Sequence, residues 1–383
     1  MSEMRIMLFG AGGYGDVYVQ SLLKDRRREN YVLAGVVDPY IDRAPGREAL
    51  EQAGVPVFDT PEAFYREHTA DLAVIATPIP LHEEQACFAL EQGSHVLLEK
   101  PIAATAEAGR RIARKARECG RVLAVGFQWC YDRAMLELKA DFDAGRLGAP
   151  LDVRALVLWP RDFAYYGRGT GWAGKKRDAQ GREIYDSVAS NATAHYLENM
   201  LWLTGREFQG AAITDFACET WRANDIETYD TAVLLAQLDN GAKLTYVVSH
   251  AVEPGEMQNP VFEYRFEKGV ARFGGLGQTG SELTFTFKDG QVKRYGVTHP
   301  DSREKIWTMM DVLREGAKLP CPAEAALRHA DAIEKMRERQ PEAYVFRNIA
   351  RNSERVWVPG LGAKLIRCYR ERMLLSQAGE ERA

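Results

Sequence analysis

The chain has 383 residues, 46% of them hydrophobic, which is long for one domain, comfortable for two, and ample for a sizeable core. A formal net charge of -4 and a pI near 6.1 exclude a global attraction to nucleic acid or anionic membrane and favour a small-molecule partner. Six cysteines without C-x-x-C spacing argue against a disulfide framework or a zinc cluster, so no metal site is expected.

The start, Met1-Ser2-Glu3-Met4-Arg5, enters an apolar run at once with no basic n-region or cleavage site. No later segment reaches the roughly 18 apolar residues of a membrane span. The expected location is the cytoplasm.

Gly10-Ala11-Gly12-Gly13-Tyr14-Gly15 follows the run Ile6–Phe9 directly and precedes a helical stretch. A first glycine permits the tight strand-to-helix turn, a second lets a pyrophosphate approach the backbone, and a third lets helix and strand pack closely; Gly10, Gly12 and Gly15 fit those three places. Asp38 ends the next apolar run, Tyr31–Val37, 23 residues beyond Gly15 (38 minus 15). A carboxylate there can accept both ribose hydroxyls of NAD and would repel a 2′-phosphate. NAD is therefore preferred over NADP, with Arg43 close enough in sequence to keep the second open.

Further runs at Leu72–Ala76, His95–Glu99 and Val122–Val125, with a weaker one near Val55–Phe58, alternate with helices such as Pro80–Gln92 and Thr105–Cys119. This is the sequence form of a doubly wound parallel sheet, whose ligands bind beyond the carboxyl ends of the strands. Thr77 and Pro78 then lie where ribose and nicotinamide would run. His82 follows at a helix N-terminus, where a surface histidine and a ligand are equally open readings. Glu99-Lys100-Pro101 ends the fifth run. A charged pair at the mouth of a buried strand needs a partner, and Lys100 would reach into the crevice, where a lysine can hold a substrate hydroxyl and share in proton transfer. Proline after it makes a cis Lys100–Pro101 bond an expectation.

G-A-G-G-Y-G, V-V-D-P, A-T-P-x-x-x-H, E-K-P and V-G-F-Q, in that order, resemble the Gfo/Idh/MocA family, which includes glucose–fructose oxidoreductase and inositol dehydrogenase. The resemblance is specific through the N-terminal domain and looser to about residue 335. It implies a nicotinamide cofactor, hydroxylated ring substrates, and a second domain built on a large, mostly antiparallel sheet. On its motifs the cofactor residues are Gly10, Gly12, Gly13, Tyr14, Gly15, Asp38, Thr77, Pro78, His82, Glu99, Lys100 and Gln128.

The expected architecture is thus α/β: an N-terminal Rossmann-type domain over 1–126, and an α+β domain for substrate and oligomerisation over 127–383. Phe127 to Asp143 reads as one helix crossing between them. Strands follow at Leu151–Trp159, Ala211–Trp221, Thr231–Leu238, Ala242–Val252, Val261–Lys268, Val270–Phe273, Leu283–Lys288 and Gln291–Tyr295, an antiparallel meander. No helices separate the later strands, so a second subunit is the simplest cover for one face, predicting a homodimer or homotetramer. Helices Ser302–Glu315 and Ala323–Arg337 and an amphipathic segment Leu361–Ser376 complete the chain.

Two stretches of this half carry chemistry. Arg161 to Tyr185 holds six Lys/Arg against three Asp/Glu, with Tyr165, Tyr166, Trp172 and Tyr185 interleaved. Aromatic faces stack on sugar rings and arginines hold hydroxyls or an anionic substituent, which makes Arg161, Tyr165, Trp172 and Tyr185 candidate substrate contacts; a solvated basic loop is the alternative. Asn191 and His195, four apart, would share a helix face. The resemblance implies an aspartate and a histidine at these positions, the histidine as acid/base. His195 fits; Asn191 departs, because an amide can orient a hydroxyl but not keep its proton, which leaves proton transfer to His195 and Lys100 meeting beside the nicotinamide.

The function expected is NAD-dependent oxidation of a ring secondary alcohol of a sugar, inositol or glycoside. Two alternatives stay open: an NAD-dependent glycosidase working by transient oxidation, elimination and water addition, and a non-catalytic NAD-binding sensor.

Overall fold

The computed structural model describes residues 3–169, 171–277, 282–298 and 301–383. Met1 and Ser2, which open the stretch expected to carry no leader, lie outside the described residues. The chain divides into two compact units, Met1–Tyr131 with Pro300–Leu327, and Asp132–His299 with Arg328–Ala383.

The first unit is built on six parallel strands: β1 (Met4–Phe9), β2 (Tyr31–Val37), β3 (Val57–Phe58), β4 (Leu72–Ile75), β5 (His95–Leu98) and β6 (Leu123–Val125). Their order, β3-β2-β1-β4-β5-β6, reverses between β1 and β4, the switch point at which such sheets bind ligands. Helix starts follow from side-chain caps: Thr105 accepts the Ala108 N–H at 3.1 Å and begins Ala106–Glu118, and Thr60 accepts the Ala63 N–H at 3.3 Å ahead of Pro61–Tyr65. Helix Glu304–Glu315 belongs to this unit although it starts 173 residues after Tyr131 (304 minus 131). It buries Ile306, Trp307, Met309 and Met310 against Ile6, Leu8 and Tyr31.

The single helix expected over Phe127 to Asp143 is two segments. A 3-10 turn, Gln128–Tyr131, ends before Asp132, whose extended backbone and side chain, accepting from Met135 N at 3.1 Å, start a new helix, Arg133–Asp143. The division between the units falls at that cap, five residues beyond the expected boundary. Pro80–Gln92 likewise resolves into a 3-10 turn, Ile79–Leu81, and helix His82–Glu91.

In the second unit all eight expected strands form: β7 (Pro150–Leu158), β8 (Ile213–Arg222), β9 (Thr231–Leu238), β10 (Lys243–Ser249), β11 (Gln258–Phe266), β12 (Gly269–Phe273), β13 (Glu282–Phe287) and β14 (Val292–Val297). A two-residue strand, β15 (Tyr344–Val345), extends the edge. The order β14-β13-β12-β11-β7-β10-β9-β8-β15 corrects the simple meander: β7, first in the chain, sits mid-sheet, antiparallel to β11 and parallel to β10.

Alternation along β11 assigns the two faces. Phe262, Tyr264 and Phe266 point to the side of helices Arg133–Asp143 and Ala194–Thr204, where the Tyr264 hydroxyl donates to Asn199 Oδ1 at 2.9 Å and Phe266 meets Phe142. On the opposite face Leu156, Leu158, Trp221, Val233, Val247 and Val261 are covered by Leu361, Leu365, Cys368, Tyr369 and Leu375. Over these residues the cover is the chain's own C-terminal segment. Beyond it the same face turns charged, Glu263 pairing with Arg265 at 2.7 Å and Arg272 at 2.8 Å. Among the described residues no helix is long and apolar enough to cross a membrane.

Candidate functional site

In the first unit the glycine turn has the geometry that a diphosphate needs. Gly10 adopts φ +80°, in the left-handed region, and a Cβ there would crowd Thr77 and the Ala76 carbonyl at 3.1–3.3 Å. A Cβ on Gly15 would overlap the Gly10 carbonyl oxygen, so only glycine lets the helix start this close to the turn. At Gly12 an added Cβ meets nothing within 4 Å, leaving the backbone open to approach. Asp38, buried at the end of β2, is fixed from both sides: Oδ2 accepts the Ala11 N–H and Oδ1 the Tyr40 N–H, each at 2.8 Å. Arg43 lies over the Tyr40 ring, 5.6 Å from its centroid. These residues fit a dinucleotide: the turn Gly10–Gly15 would take the diphosphate and Asp38 the ribose hydroxyls.

At the end of β5 the two charges have different surroundings. Glu99 is buried and accepts from Tyr18 Oη at 2.5 Å and from the fully buried ammonium of Lys305. Lys305 also donates to Tyr14 Oη at 2.9 Å and lies over the Tyr14 ring. Burial alone would lower the lysine pKa, but Glu99 and Tyr14 outweigh it and hold the ammonium above its ordinary range. Lys305 is the partner that a buried Glu99 calls for. Lys100 is half-buried, its backbone N–H turned to Glu99 Oε2 at 3.2 Å, and the Lys100–Pro101 bond is cis as expected.

His82 is a buried strut and not a surface histidine. It is buried, with Nε2 3.0 Å from the Thr77 carbonyl and Nδ1 3.0 Å from the Pro101 carbonyl, tying the loop after β4 to the loop after β5. Burial lowers its pKa against those two hydrogen bonds. Thr77 Oγ1 donates to Gln85 Oε1 at 2.6 Å, Pro78 is exposed beside it, and Gln128 is half-buried at the start of its 3-10 turn.

In the second unit, Asn191 and His195 do not share one helix. Asn191 lies in a five-residue π turn, Val188–Ala192, held by a reciprocal cap in which Ser187 Oγ accepts the Ser190 N–H at 3.1 Å and Ser190 Oγ the Ser187 N–H at 2.8 Å. Thr193, at φ -109° and ψ 11°, breaks the spiral, and helix Ala194–Thr204 begins one residue before His195. Asn191 Nδ2 donates to Asp186 Oδ1 at 2.8 Å; the other oxygen of this buried carboxylate accepts the Gly174 N–H at 2.7 Å.

The loop from Arg161 supplies a series of stacked cations and rings. The Arg161 guanidinium lies 5.4 Å from the Trp159 centroid and 4.6 Å from that of Tyr165, and Arg168 lies 3.6 Å from Tyr165 and 4.6 Å from Trp172. Trp159 meets Tyr196, the neighbour of His195, edge to face at 5.7 Å. Tyr165 also lines a small cleft with Tyr166, Asp186, Tyr229 and His250. Tyr185 stands apart from this group: it is buried at φ +47°, its ring covered by Arg337, and burial pushes its phenol up to about 12.

Residues 4–127 match the family model described as the oxidoreductase family with an NAD-binding Rossmann fold, and residues 135–272 match the GFO/IDH/MocA C-terminal domain. The chain belongs to the Gfo/Idh/MocA oxidoreductases. It is 31% identical to an inositol 2-dehydrogenase of Mycolicibacterium gilvum over 84% of this chain and 86% of that one. An uncharacterized protein, y4oX, of Sinorhizobium fredii is 28% identical over 68% and 69%. Among solved structures, the WlbA dehydrogenase of Bordetella pertussis, in complex with NADH and UDP-GlcNAcA, superposes with a TM-score of 0.70 at 23% identity, covering 88% of this chain and 97% of that one. An oxidoreductase of Agrobacterium radiobacter, in complex with NAD+, L-tartaric acid and magnesium, gives 0.69 at 18% identity over 87% and 95%. At these identities the structural likeness concerns the fold.

As a Gfo/Idh/MocA member the chain is an NAD-dependent oxidoreductase acting on CH–OH groups. Two features of its site were not singled out from sequence. Lys305 neutralises Glu99 from 206 residues away, and the only signal for it was the rule that a buried carboxylate needs a cation. Asp186 supplies a carboxylate next to Asn191, five residues before the position where the resemblance implies one.

Proposed function

We propose that this protein oxidises a secondary alcohol on the ring of a sugar, inositol or glycoside. When bound, NAD supplies the hydride acceptor. His195, supported by Lys100, removes the hydroxyl proton, and Asn191, oriented by Asp186, fixes the orientation of the substrate. The observation that supports this reading is the Asp186–Asn191 hydrogen bond, which holds the amide just ahead of the helix that carries His195, and an amide can orient a hydroxyl without keeping its proton.

The test is NADH formation with a panel of inositols, hexoses and aryl glycosides. Lys100→Ala and His195→Ala should each lose about 100-fold or more in kcat, the usual scale for removing a general acid or base, while NAD affinity holds. Unchanged turnover in either variant removes its assigned role. Aglycone released without net NADH replaces the dehydrogenase by the redox-assisted glycosidase.

A further inference from the structure

Most cations of the 161–185 loop are engaged. Lys176 pairs with Glu342 at 2.7 Å, Lys175 with Glu227 at 3.4 Å, Arg182 with Asp178 at 2.8 Å, and Arg177 donates to the Gly181 carbonyl at 2.8 Å. Arg168 donates to the Tyr165 carbonyl at 2.6 Å, but it and Arg161 differ from the others in their charge partners. Among the described residues neither makes an ion pair with a carboxylate, and Arg161 Nε is buried without a hydrogen-bond partner. Two buried carboxylates of this part of the unit accept from neutral donors: Asp186 from Gly174 N at 2.7 Å and Asn191 Nδ2 at 2.8 Å, and Asp230 from Asn224 N and Nδ2 at 2.8 Å each and from Ala223 N at 3.0 Å.

Two like charges stacked on the one Tyr165 ring repel, and a buried guanidinium N–H with no acceptor is unfavourable. Stacking on the rings offsets part of this without making it the best structural solution; a carboxylate in reach would do more. The positive field is felt by His250, whose carbonyl accepts the Arg161 N–H at 3.1 Å and whose imidazole is pushed well below its ordinary range by burial and then by Arg161 and Arg168. Ring faces at Trp159 and Trp172 bound the pair, and Trp159 touches the neighbour of His195.

We propose that Arg161 and Arg168 recognise an oxyanion, a carboxylate, sulfate or phosphate, carried on the ring substrate. A planar guanidinium fork matches such groups in two-pronged hydrogen bonding, and the flanking aromatic rings hold both forks in fixed planes. The identity of the anion's carrier as an oxidised ring rests on the function proposed above; the anion site itself does not.

The experiment titrates the full-length NAD-loaded protein with glucose, glucuronate, glucose 6-sulfate and glucose 6-phosphate, read by tryptophan fluorescence and calorimetry. At least one charged sugar should bind about tenfold or more tighter than glucose, and that ratio should collapse towards one in Arg161→Met and in Arg168→Met. Raising NaCl from about 50 to about 500 mM should weaken the charged probe selectively. Which probe wins separates carboxylate from sulfate and phosphate. If a methionine variant does not fold, Arg168→Lys decides: it keeps the charge, so salt sensitivity should persist while discrimination among the three anions falls. No charge preference in the wild type, or an undiminished preference in folded arginine variants, overturns the anion site. NADH formation on the same panel is scored separately, so charge-selective binding without turnover overturns the dehydrogenase reading alone.

Discussion

Asn191 Nδ2 donates to Asp186 Oδ1 at 2.8 Å, a bond that suits an amide at the position where the family resemblance implies an acid. A carboxylate at 191 would face the buried carboxylate of Asp186 at hydrogen-bond distance. Both cannot ionise there, and one pKa would rise strongly as the pair came to share a proton. Asn191→Asp, although it restores the family residue, is therefore expected to lower kcat/KM by about tenfold or more at neutral pH and to add a new ionisation to its pH profile. The swap Asp186→Asn with Asn191→Asp should recover part of the loss. A single variant as fast as wild type would show that Asp186 does not govern the amide.

The Glu99–Lys305 pair makes a different demand, because both groups are taken out of water. Removing one member of a buried pair typically costs about 3–5 kcal/mol, since the survivor stays buried and uncompensated. Lys305→Met should lose that much in urea denaturation. Adding Glu99→Gln, whose side-chain carbonyl can still accept from Tyr18, should return more than half of it. Additive losses in the double variant would mean that the pair is not coupled.

Two buried imidazoles give the first unit and the second unit each an acid-sensitive element. His82 and His250 both have folded pKa values below the ordinary value for histidine, chiefly from burial. The unfolded chain then binds more protons than the folded one as pH falls through about 6.5, so the stability contribution of both is complete above that value and is lost below it. Carboxylates held low by their partners, such as Asp141 and Asp301, lose their contribution only at more acid pH. Urea midpoints measured between roughly pH 6.5 and 5 should therefore fall, and His250→Phe should flatten that fall. A slope in His250→Phe equal to wild type assigns the effect elsewhere.

What the sequence made legible divides along physical lines. Strands and the glycine turn declare themselves locally, through apolar runs and through φ and close-approach needs that Gly10 and Gly15 meet. Partners far apart in the chain do not: nothing near Glu99 points to Lys305 rather than any other lysine. The π turn at Val188–Ala192 was hidden because its cap is Ser187 with Ser190, lacking the Glu or Gln that marks a usual capping box. Tyr185 looked like a ring for a substrate because aromatic residues in a basic loop read alike whether they face out or, as here, in.

The amphipathic period of Leu361–Ser376 was visible, but not the surface it covers, and that surface sets the last prediction. Leu361, Leu365, Tyr369 and Leu375 seal the apolar face formed by Leu156, Leu158, Val233, Val247 and Val261. At about 1.5–3 kcal/mol for each fully buried side chain, these four contribute on the order of 6–12 kcal/mol as an upper bound. That is comparable to the whole stability of a typical domain, about 5–15 kcal/mol. Deleting 359–383 should therefore leave a chain that aggregates through an exposed apolar sheet face, whereas Leu365→Ala should fold with a loss of about 2–5 kcal/mol. Light scattering and urea denaturation read the two outcomes. A truncated chain that stays monodisperse with unchanged stability would mean that this face does not depend on the C-terminal segment for its cover.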